Sequence, residues 1–465
     1  MLRLFDTMAK DKVEFNPEGI VSIYTCGPTV YLDLHIGNWR TFIFYDTLVR
    51  VLKENDYDTN HVLNITDVGH LVSDGDTGED KLAKTAKAQR KTAWEVAEQY
   101  TNDFLEGISN LNMLKPSKLP KATDHIQQQI AMVQAIEGAG YAYKISDGIY
   151  FDTGKLDDYG KLAGGAQADE DFARINQNDE KRSAEDFALW KFSPDGEQRD
   201  MEWDSPWGVG FPGWHIECSA MAKAYLGDTI DIHAGGIDHI PVHHTNEIAQ
   251  SETANNAPFA STWLHTEFMK VDGAKMSKSK DNFYTLADIS DKGFTPMDFR
   301  MLVLQGHYRT ETNFTWDTLQ AASNLLRNIR QSYERVFSAH DERPDETERI
   351  QSLHREFIDA LNDDINTPQA LSILSSVTSI ANNGLSNSSR QAFIEFFQLV
   401  DRTLGLNIVA SAEDISVEQK ELIKSRDEAK QNKDYATADE IRDTLDKAGI
   451  VLLDTPGQTS WMRKH

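Results

Sequence analysis

Long apolar runs are missing from the sequence, because no stretch approaches the roughly 18 residues that cross a bilayer. Residues 1–20 mix charged and apolar positions and lack the pattern of a secretory signal. Cysteine is scarce, with 2 residues in 465, which excludes a disulfide scaffold and fits a reducing compartment. We therefore expect a cytoplasmic protein that does not enter the membrane.

Net positive charge is missing as well. The chain has 47 basic and 74 acidic side chains, for a net charge of -27. This charge argues against DNA binding and against non-specific binding to RNA or anionic membrane over most of the surface. A polyanion would need a local face of different charge. Residues 420–465 are neutral overall, which makes this tail one candidate for contact with nucleic acid.

The start of the chain alternates between strand and helix patterns. Residues 20–26 are β-branched and predict a strand, residues 38–52 predict a helix, and residues 61–66 predict a second strand. This order is typical of a βαβ unit in a parallel sheet, whose binding sites lie at the carboxyl ends of the strands. We therefore expect Cys26, Gly27 and Thr66 to share one crevice.

The rest of the chain predicts a Rossmann-like, doubly wound parallel sheet of α/β class that is split by an insertion. A helical bundle and a small C-terminal α/β domain follow. The expected segments are residues 1–121, first half of the sheet domain; 122–204, a connective insertion; 205–262, the second half; 263–318, the region that carries the loop Lys275-Met276-Ser277-Lys278-Ser279; 319–408, the bundle; and 409–465, the terminal domain.

Metal-ligating residue types occur at a helical spacing. His243 and Glu247 are four residues apart, so a helix places both side chains on one face. Cys218 lies in the preceding predicted helix and Cys26 ends the first strand. If the fold is doubly wound, all four can converge as a sulfur, nitrogen and oxygen set suited to zinc. The alternatives are a surface His/Glu pair and two buried cysteines that act as small apolar residues.

Two further motifs fit nucleotide chemistry. The first is His35-Ile36-Gly37-Asn38, at the start of a predicted helix, where free amides and the helix dipole favour phosphate. The second is Lys275-Met276-Ser277-Lys278-Ser279, whose lysines could neutralise charge on a departing triphosphate. The first motif by itself is not specific, and the second by itself is more typical of a solvated loop of lysine and serine.

Together, the two motifs on a split parallel sheet resemble the class I aminoacyl-tRNA synthetases. Four segments, one of which contains the second motif, resemble the cysteinyl-tRNA synthetases. These segments are Tyr24–Tyr31, Gly213–Met221, Asp231–Glu252 and Asp272–Phe283. They occur in the family's order and with nearly its spacing, and the likeness runs through to the last residues.

The resemblance implies a monomeric ligase that activates L-cysteine with ATP and Mg²⁺ and transfers it to the 3′ end of tRNA(Cys). It also implies one zinc ion that binds the substrate thiolate. The implied zinc ligands are Cys26, Cys218, His243 and Glu247. Serine differs from cysteine by one atom and is no larger, so a pocket that reads shape alone would reject it by only a few kcal/mol.

The resemblance implies further site residues. The implied ATP-binding residues are His35, Gly37, Asn38 and Lys278, and the implied catalytic residues are His35, Asn38, Lys275 and Lys278. The implied substrate-binding residues are Gly27, Thr66, Trp214, His233 and Asp238. The implied anticodon contacts are Lys430, Asp439, Asp454 and Trp461, with base stacking expected on Trp461. Structural roles remain the alternative for Trp214, Asp238 and the four anticodon residues.

Two other functions are compatible with parts of the sequence. A cysteine ligase with a small amine as acceptor would use the same adenylate, but such relatives lack a tRNA-reading terminal domain. A catalytically silent paralogue that binds tRNA would typically lose one of the nucleotide motifs. Both the terminal stretch and both motifs are present, which favours the tRNA ligase.

Overall fold

The computed structural model describes residues 1–69, 80–164, 179–194, 199–276, 282–339, 343–455 and 458–463. It divides into two compact units. The first comprises residues 2–288 and 308–313, and the second comprises Met1 with residues 289–307 and 314–465. Within the described residues, no helix is both long enough and apolar enough to cross a membrane.

The elements follow the expected order of an interrupted α/β domain and a helical region. The strands are β1 (Arg3–Asp6), β2 (Asp11–Glu14), β3 (Val21–Thr25), β4 (Thr59–Leu63), β5 (Ala142–Ile145), β6 (Gly148–Phe151), β7 (Ala188–Phe192), β8 (Gly210–Pro212), β9 (Ile230–Gly236), β10 (Ala260–Thr266), β11 (Met269–Val271), β12 (Ala274–Lys275), β13 (Thr312–Phe314), β14 (Ile450–Thr455) and β15 (Gln458–Arg463). The helices are α1 (Ile36–Glu54), α2 (Lys81–Gln89), α3 (Ala93–Asn110), α4 (Ile126–Gly138), α5 (Ile216–Leu226), α6 (Thr245–Asn255), α7 (Leu286–Asp291), α8 (Pro296–Leu304), α9 (Trp316–Tyr333), α10 (Thr347–Asn362), α11 (Thr367–Asn382), α12 (Arg390–Leu404), α13 (Ile408–Ser411), α14 (Val417–Gln431) and α15 (Tyr435–Lys447).

The central sheet of the first unit has the strand order β10-β9-β3-β4, and every neighbouring pair is parallel. The predicted βαβ unit of β3, α1 and β4 is therefore confirmed. In the register, Tyr24 lies opposite Val62 on one side and His233 on the other. Because the strands are parallel, their carboxyl ends meet at one edge of the sheet.

The insertion forms a separate antiparallel sheet with the order β5-β6-β7-β8. Its last strand, β8, lies beyond the expected boundary at residue 204, and β10 likewise runs past residue 262. The sequence Gly210-Phe211-Pro212 carries no strand pattern of its own. Gly210 fits against the backbone of Lys191, where a Cβ atom would overlap the carbonyl oxygen. The extended conformation of β8 therefore depends on its pairing with β7 rather than on its own sequence.

Two glycine-containing turn patterns have different outcomes. Adjacent glycines favour a turn, but Gly235 and Gly236 extend β9, where both pair with β10. The Asp147-Gly148 pair predicts a hairpin turn, which is present, with Gly148 already in β6. The acidic stretch 164–186 contains Gly and Asn and predicts a loop, but it lies largely outside the described residues.

The second unit contains the predicted helical bundle. Its core is aromatic, with Phe397 of α12 lying 5.0 Å from Tyr333 and 4.7 Å from Phe393 between ring centroids. Beyond the bundle, α14 and α15 precede an antiparallel hairpin of β14 and β15. The apolar run at 450–453 by itself predicts one short strand, and the structure adds its hairpin partner β15.

Candidate functional site

The four predicted zinc ligands converge at the carboxyl edge of the central sheet. One ligand atom from each lies within 4.8 Å of every other, and all four residues are buried. The four are Cys26 directly after β3, Cys218 in α5, His243 in the turn before α6, and Glu247 in the first turn of α6. Two sulfurs, one nitrogen and one oxygen at this spacing fit the preferences of zinc.

The local fold explains how these side chains meet. The backbone N–H of Cys26 donates to the carbonyl of Ala234 at 3.2 Å, which holds the end of β3 against β9. A single π-helical turn, Ile240–His244, precedes α6 and brings both His243 and His244 into the interior. The side chains of His243 and Glu247 then approach to 2.6 Å between Nε2 and Oε1.

A second set of buried histidines lies behind the ligands. His233 contacts the other carboxylate oxygen of Glu247 at 2.6 Å, and the His244 ring lies 3.3 Å from the Cys26 sulfur. His265 in turn hydrogen-bonds His244 at 2.8 Å. Cys26, His233, His244 and Glu247 also lie close enough together to hold a metal ion. Sequence reasoning missed His244 and His265, although the His243-His244 pair could have suggested the first.

Burial and charge shift the titration of this cluster. Burial by itself raises the pKa of Glu247, but His233 and His243 outweigh it and hold that pKa well below its ordinary value. A hydrogen bond from Cys26 lowers the pKa of Cys218, while burial raises the pKa of Cys26. The cluster thus gathers an anionic carboxylate and two thiols away from water, an arrangement that a divalent cation stabilises.

The nucleotide motif caps α1. The Asn38 N–H donates to Nδ1 of His35 at 3.1 Å, and the His35 N–H donates to Oδ1 of Asn38 at 3.2 Å. Burial lowers the pKa of His35, which favours the neutral ring. Because Nδ1 accepts a hydrogen bond, the proton of the neutral ring lies on Nε2, which can act as a donor.

The two nucleotide motifs meet at Gly37. A Cβ atom on Gly37 would lie 2.5 Å from the terminal methyl of Met276 and 3.0 Å from the ring of His35. Lys275 is exposed, and its ammonium lies 5.3 Å from the ring centroid of Phe268. Lys278 lies outside the described residues.

The predicted substrate-binding residues occupy different environments. The Gly27 N–H donates to Oδ1 of Asn64 at 2.9 Å, and Nδ2 of Asn64 donates to the buried Thr66 hydroxyl at 2.9 Å. A side chain on Gly27 would overlap the Asn64 carbonyl. Sequence reasoning missed Asn64, which directly follows β4 at the level of Cys26.

The other three predicted substrate-binding residues differ in exposure. His233 is fully buried behind Glu247. Trp214 is half-buried, with its ring centroid 5.7 Å from that of His243. Asp238 is exposed in a short turn after β9.

Three of the four predicted anticodon residues lie at the surface, and one does not. Lys430 and Asp454 pair at 2.8 Å, and Asp439 pairs with Arg442 at 3.1 Å. Trp461 is only 3 % exposed and stacks on Phe337, with the ring planes 9° apart. The expected base stacking on Trp461 does not fit this burial, because its ring already packs in the core of the terminal segment.

Sequence reasoning also missed Arg426, which is 4 % exposed. Its guanidinium donates to both carboxylate oxygens of Asp454 at 2.8 and 3.2 Å. Together with Lys430, it holds the pKa of Asp454 well below the ordinary value. Asp454 thus has a structural partner in the described conformation.

Three family models match successive parts of the chain. The class I tRNA synthetase (C) catalytic domain matches residues 12–324, the DALR domain matches residues 356–408, and the cysteinyl-tRNA ligase anticodon-binding domain matches residues 412–461. The first of these alone covers more than half of the chain.

Curated relatives match along nearly the whole chain. Cysteine–tRNA ligase 1 of Burkholderia lata is 44 % identical over 465 residues, covering 98 % of this chain and 95 % of the relative. Cysteine–tRNA ligase of Treponema denticola is 40 % identical, with 99 % of each chain covered. Among solved structures, Mycobacterium tuberculosis methionyl-tRNA synthetase in complex with methionyl-adenylate has a TM-score of 0.61 at 13 % identity, covering 84 % of this chain and 93 % of that one. This last likeness shows the fold alone.

Proposed function

The chain belongs to the cysteinyl-tRNA synthetase family, and from this membership we propose that its buried thiol, imidazole and carboxylate cluster holds a zinc ion that recognises the substrate cysteine. The activity is that of a cysteine–tRNA ligase, with ATP, cysteine and tRNA as its partners. The observation that carries the zinc proposal is the convergence of four buried ligand atoms within 4.8 Å.

The proposed ligands are Cys26, Cys218, His243 and Glu247. When bound, zinc supplies a Lewis acid that favours the ionised form of a thiol far more than that of a hydroxyl. Such a preference separates cysteine from serine where shape cannot. Two further histidines support this assignment, because each contacts a proposed ligand and so orients it. His233 contacts Glu247, and His244 contacts Cys26. The pocket wall would comprise Gly27, Thr66, Trp214 and Asp238.

We assign ATP binding to the start of α1. The Nε2 proton of His35 supports this assignment, because it can be donated to a phosphoryl oxygen. The absence of a side chain at Gly37 lets Met276, from the second nucleotide motif, approach the same helix start. Asn38 contributes by fixing the His35 ring. Lys275 and Lys278 would neutralise charge on the departing pyrophosphate, with Mg²⁺ on the phosphates.

The acceptor in this proposal is tRNA(Cys). The match of residues 412–461 to an anticodon-binding domain supports tRNA over a small amine as acceptor. Lys430, Asp439 and Asp454 are the proposed surface contacts, while Trp461 supports the segment from its core. We further propose that the protein is cytoplasmic and monomeric, as the sequence predicts. Light scattering after size exclusion would test the monomeric state.

ATP–pyrophosphate exchange tests the zinc proposal. The measurement compares cysteine with serine on the full chain, after zinc removal by a chelator and after zinc is restored. We expect exchange that requires both cysteine and zinc and that ignores serine. Cys218→Ala should abolish it, whereas Lys223→Ala, on the exposed face of the same helix, should not. Exchange that survives complete loss of zinc from folded protein would overturn the proposed metal role and leave the ligase activity intact.

A further inference from the structure

Lys81, the first residue of α2, places its ammonium near two aromatic rings. The Nζ atom lies 5.7 Å from the ring centroid of Tyr31 and 5.4 Å from that of Trp214. Both distances are within the range of a cation–π interaction. Tyr31 follows β3 and Trp214 precedes α5, so this one cation connects the two segments that carry Cys26 and Cys218.

The position of Lys81 is tightly constrained by its surroundings. The Asp80 side chain caps α2 by accepting from the Leu82 and Ala83 N–H groups at 2.8 and 3.0 Å. Arg199 pairs with the same carboxylate. The buried Leu82 and Ala86 anchor α2 in the apolar cluster that contains Val30 and Ile65. The cap, the ion pair and the apolar packing together fix the backbone at the start of α2, from which the Lys81 side chain extends.

The ring that Lys81 covers lies next to a proposed zinc ligand. Trp214 stacks on His215 with the ring planes 26° apart, and its centroid is 5.7 Å from that of His243. His215 and His243 are themselves hydrogen-bonded at 2.9 Å. The indole thus has an imidazole contact on one side and the Lys81 cation as a second contact. Trp214 is half-buried, and the Lys81 cation adds a contact to those that hold its ring.

We propose that Lys81 is a positioning residue for cysteine binding, which acts by holding the indole of Trp214 in the orientation that forms the wall of the amino-acid pocket. This inference rests on the proposed pocket role of Trp214. Lys81 itself is not assigned to contact the substrate. The predicted consequence is selective: loss of the cation weakens the binding of cysteine, while the rate of adenylate formation at saturation stays the same.

The test measures KM and kcat for cysteine in pyrophosphate exchange with the full chain. Lys81→Gln should raise the KM for cysteine about fivefold, as expected for loss of a partly exposed cation–π interaction, with kcat nearly unchanged. Lys81→Arg retains a cation over the rings and should restore the KM. Lys84→Gln, an exposed change on the same helix, is the matched control and should leave the KM unchanged.

A double-mutant cycle with Trp214→Leu, which removes the aromatic ring, separates action through the indole from a direct effect. If Lys81 acts through Trp214, Lys81→Gln should add little to the KM in the Trp214→Leu background. A full additional increase there, or an equal loss in Lys81→Arg and Lys81→Gln, would overturn the proposal. An unchanged KM in both Trp214→Leu and Lys81→Gln would also overturn it.

Cys218→Ala distinguishes failure of this inference from failure of the zinc proposal. If Cys218→Ala loses zinc and exchange while Lys81→Gln has a normal KM, the zinc proposal stands and the Lys81 role is refuted. If Cys218→Ala keeps normal exchange while Lys81→Gln raises the KM and Lys81→Arg restores it, the Lys81 role stands and the zinc proposal is refuted.

Discussion

Replacement of His61 by Gln should make the stability of the protein less sensitive to acid. His61 lies in β4, is 6 % exposed, and shares a 2.8 Å hydrogen bond with the Thr25 hydroxyl. Burial lowers its pKa from 6.5 to about 4, although Asp46 acts in the opposite direction. The ring is therefore neutral in the folded protein over a pH range in which the unfolded chain binds a proton.

The sign and size of the effect follow from linkage. Well above pH 6.5 both states are neutral and His61 adds no pH dependence. As the pH falls from 6.5 to about 4, only the unfolded state gains the proton, so the free energy of unfolding decreases. The full loss is about 3.4 kcal/mol, of which about 1.4 kcal/mol falls between pH 7.5 and pH 5.5.

Denaturant unfolding at pH 7.5 and pH 5.5 would measure this loss for the wild type and His61→Gln. Gln cannot titrate here but can still hydrogen-bond to Thr25, so any cost of altered packing is the same at both pH values. The wild type should lose about 1.4 kcal/mol more than the variant on acidification. His354→Gln, in the second unit, is the control and should follow the wild type. Equal acid sensitivity of the wild type and His61→Gln would refute the reasoning.

Three further predictions follow from the described contacts. Gly27→Ala should destabilise the protein by at least about 3 kcal/mol and abolish cysteine activation, because the new methyl overlaps the Asn64 carbonyl. Thermal unfolding measures the loss, and Gly138→Ala, which has open space around its new methyl, is the control. Glu247→Gln should weaken zinc binding at least about 100-fold in competition with a chelator, since it removes the charge that both His233 and His243 contact, and an unchanged affinity would contradict the ligand assignment. Trp461→Ala should cost about 3–5 kcal/mol and raise hydrogen exchange in α14 and α15, whereas lost tRNA affinity at unchanged stability would favour a direct contact with RNA.

Residue types and their spacing determined much of this protein from sequence alone. The β-branched run before Cys26, the helix after Gly37 and the next strand predicted a βαβ unit, because local periodicity records which face of each element is buried. Parallel pairing then required the strand ends to meet at one edge, so Cys26 and Thr66 could be expected in one crevice. The spacing of His243 and Glu247 similarly placed their side chains on one helical face.

Only the tertiary structure decided the contacts between distant segments. The support of Cys26 by His244, the bridge of Asn64 between Gly27 and Thr66, and the Lys81 cation over Trp214 join residues from different elements. Burial of Trp461 against Phe337 and the pairing of β8 with β7 are of the same kind. Local pattern specifies which face of an element turns inward, whereas the partner of a given side chain depends on strand register and helix packing, which arise only when the whole unit has folded.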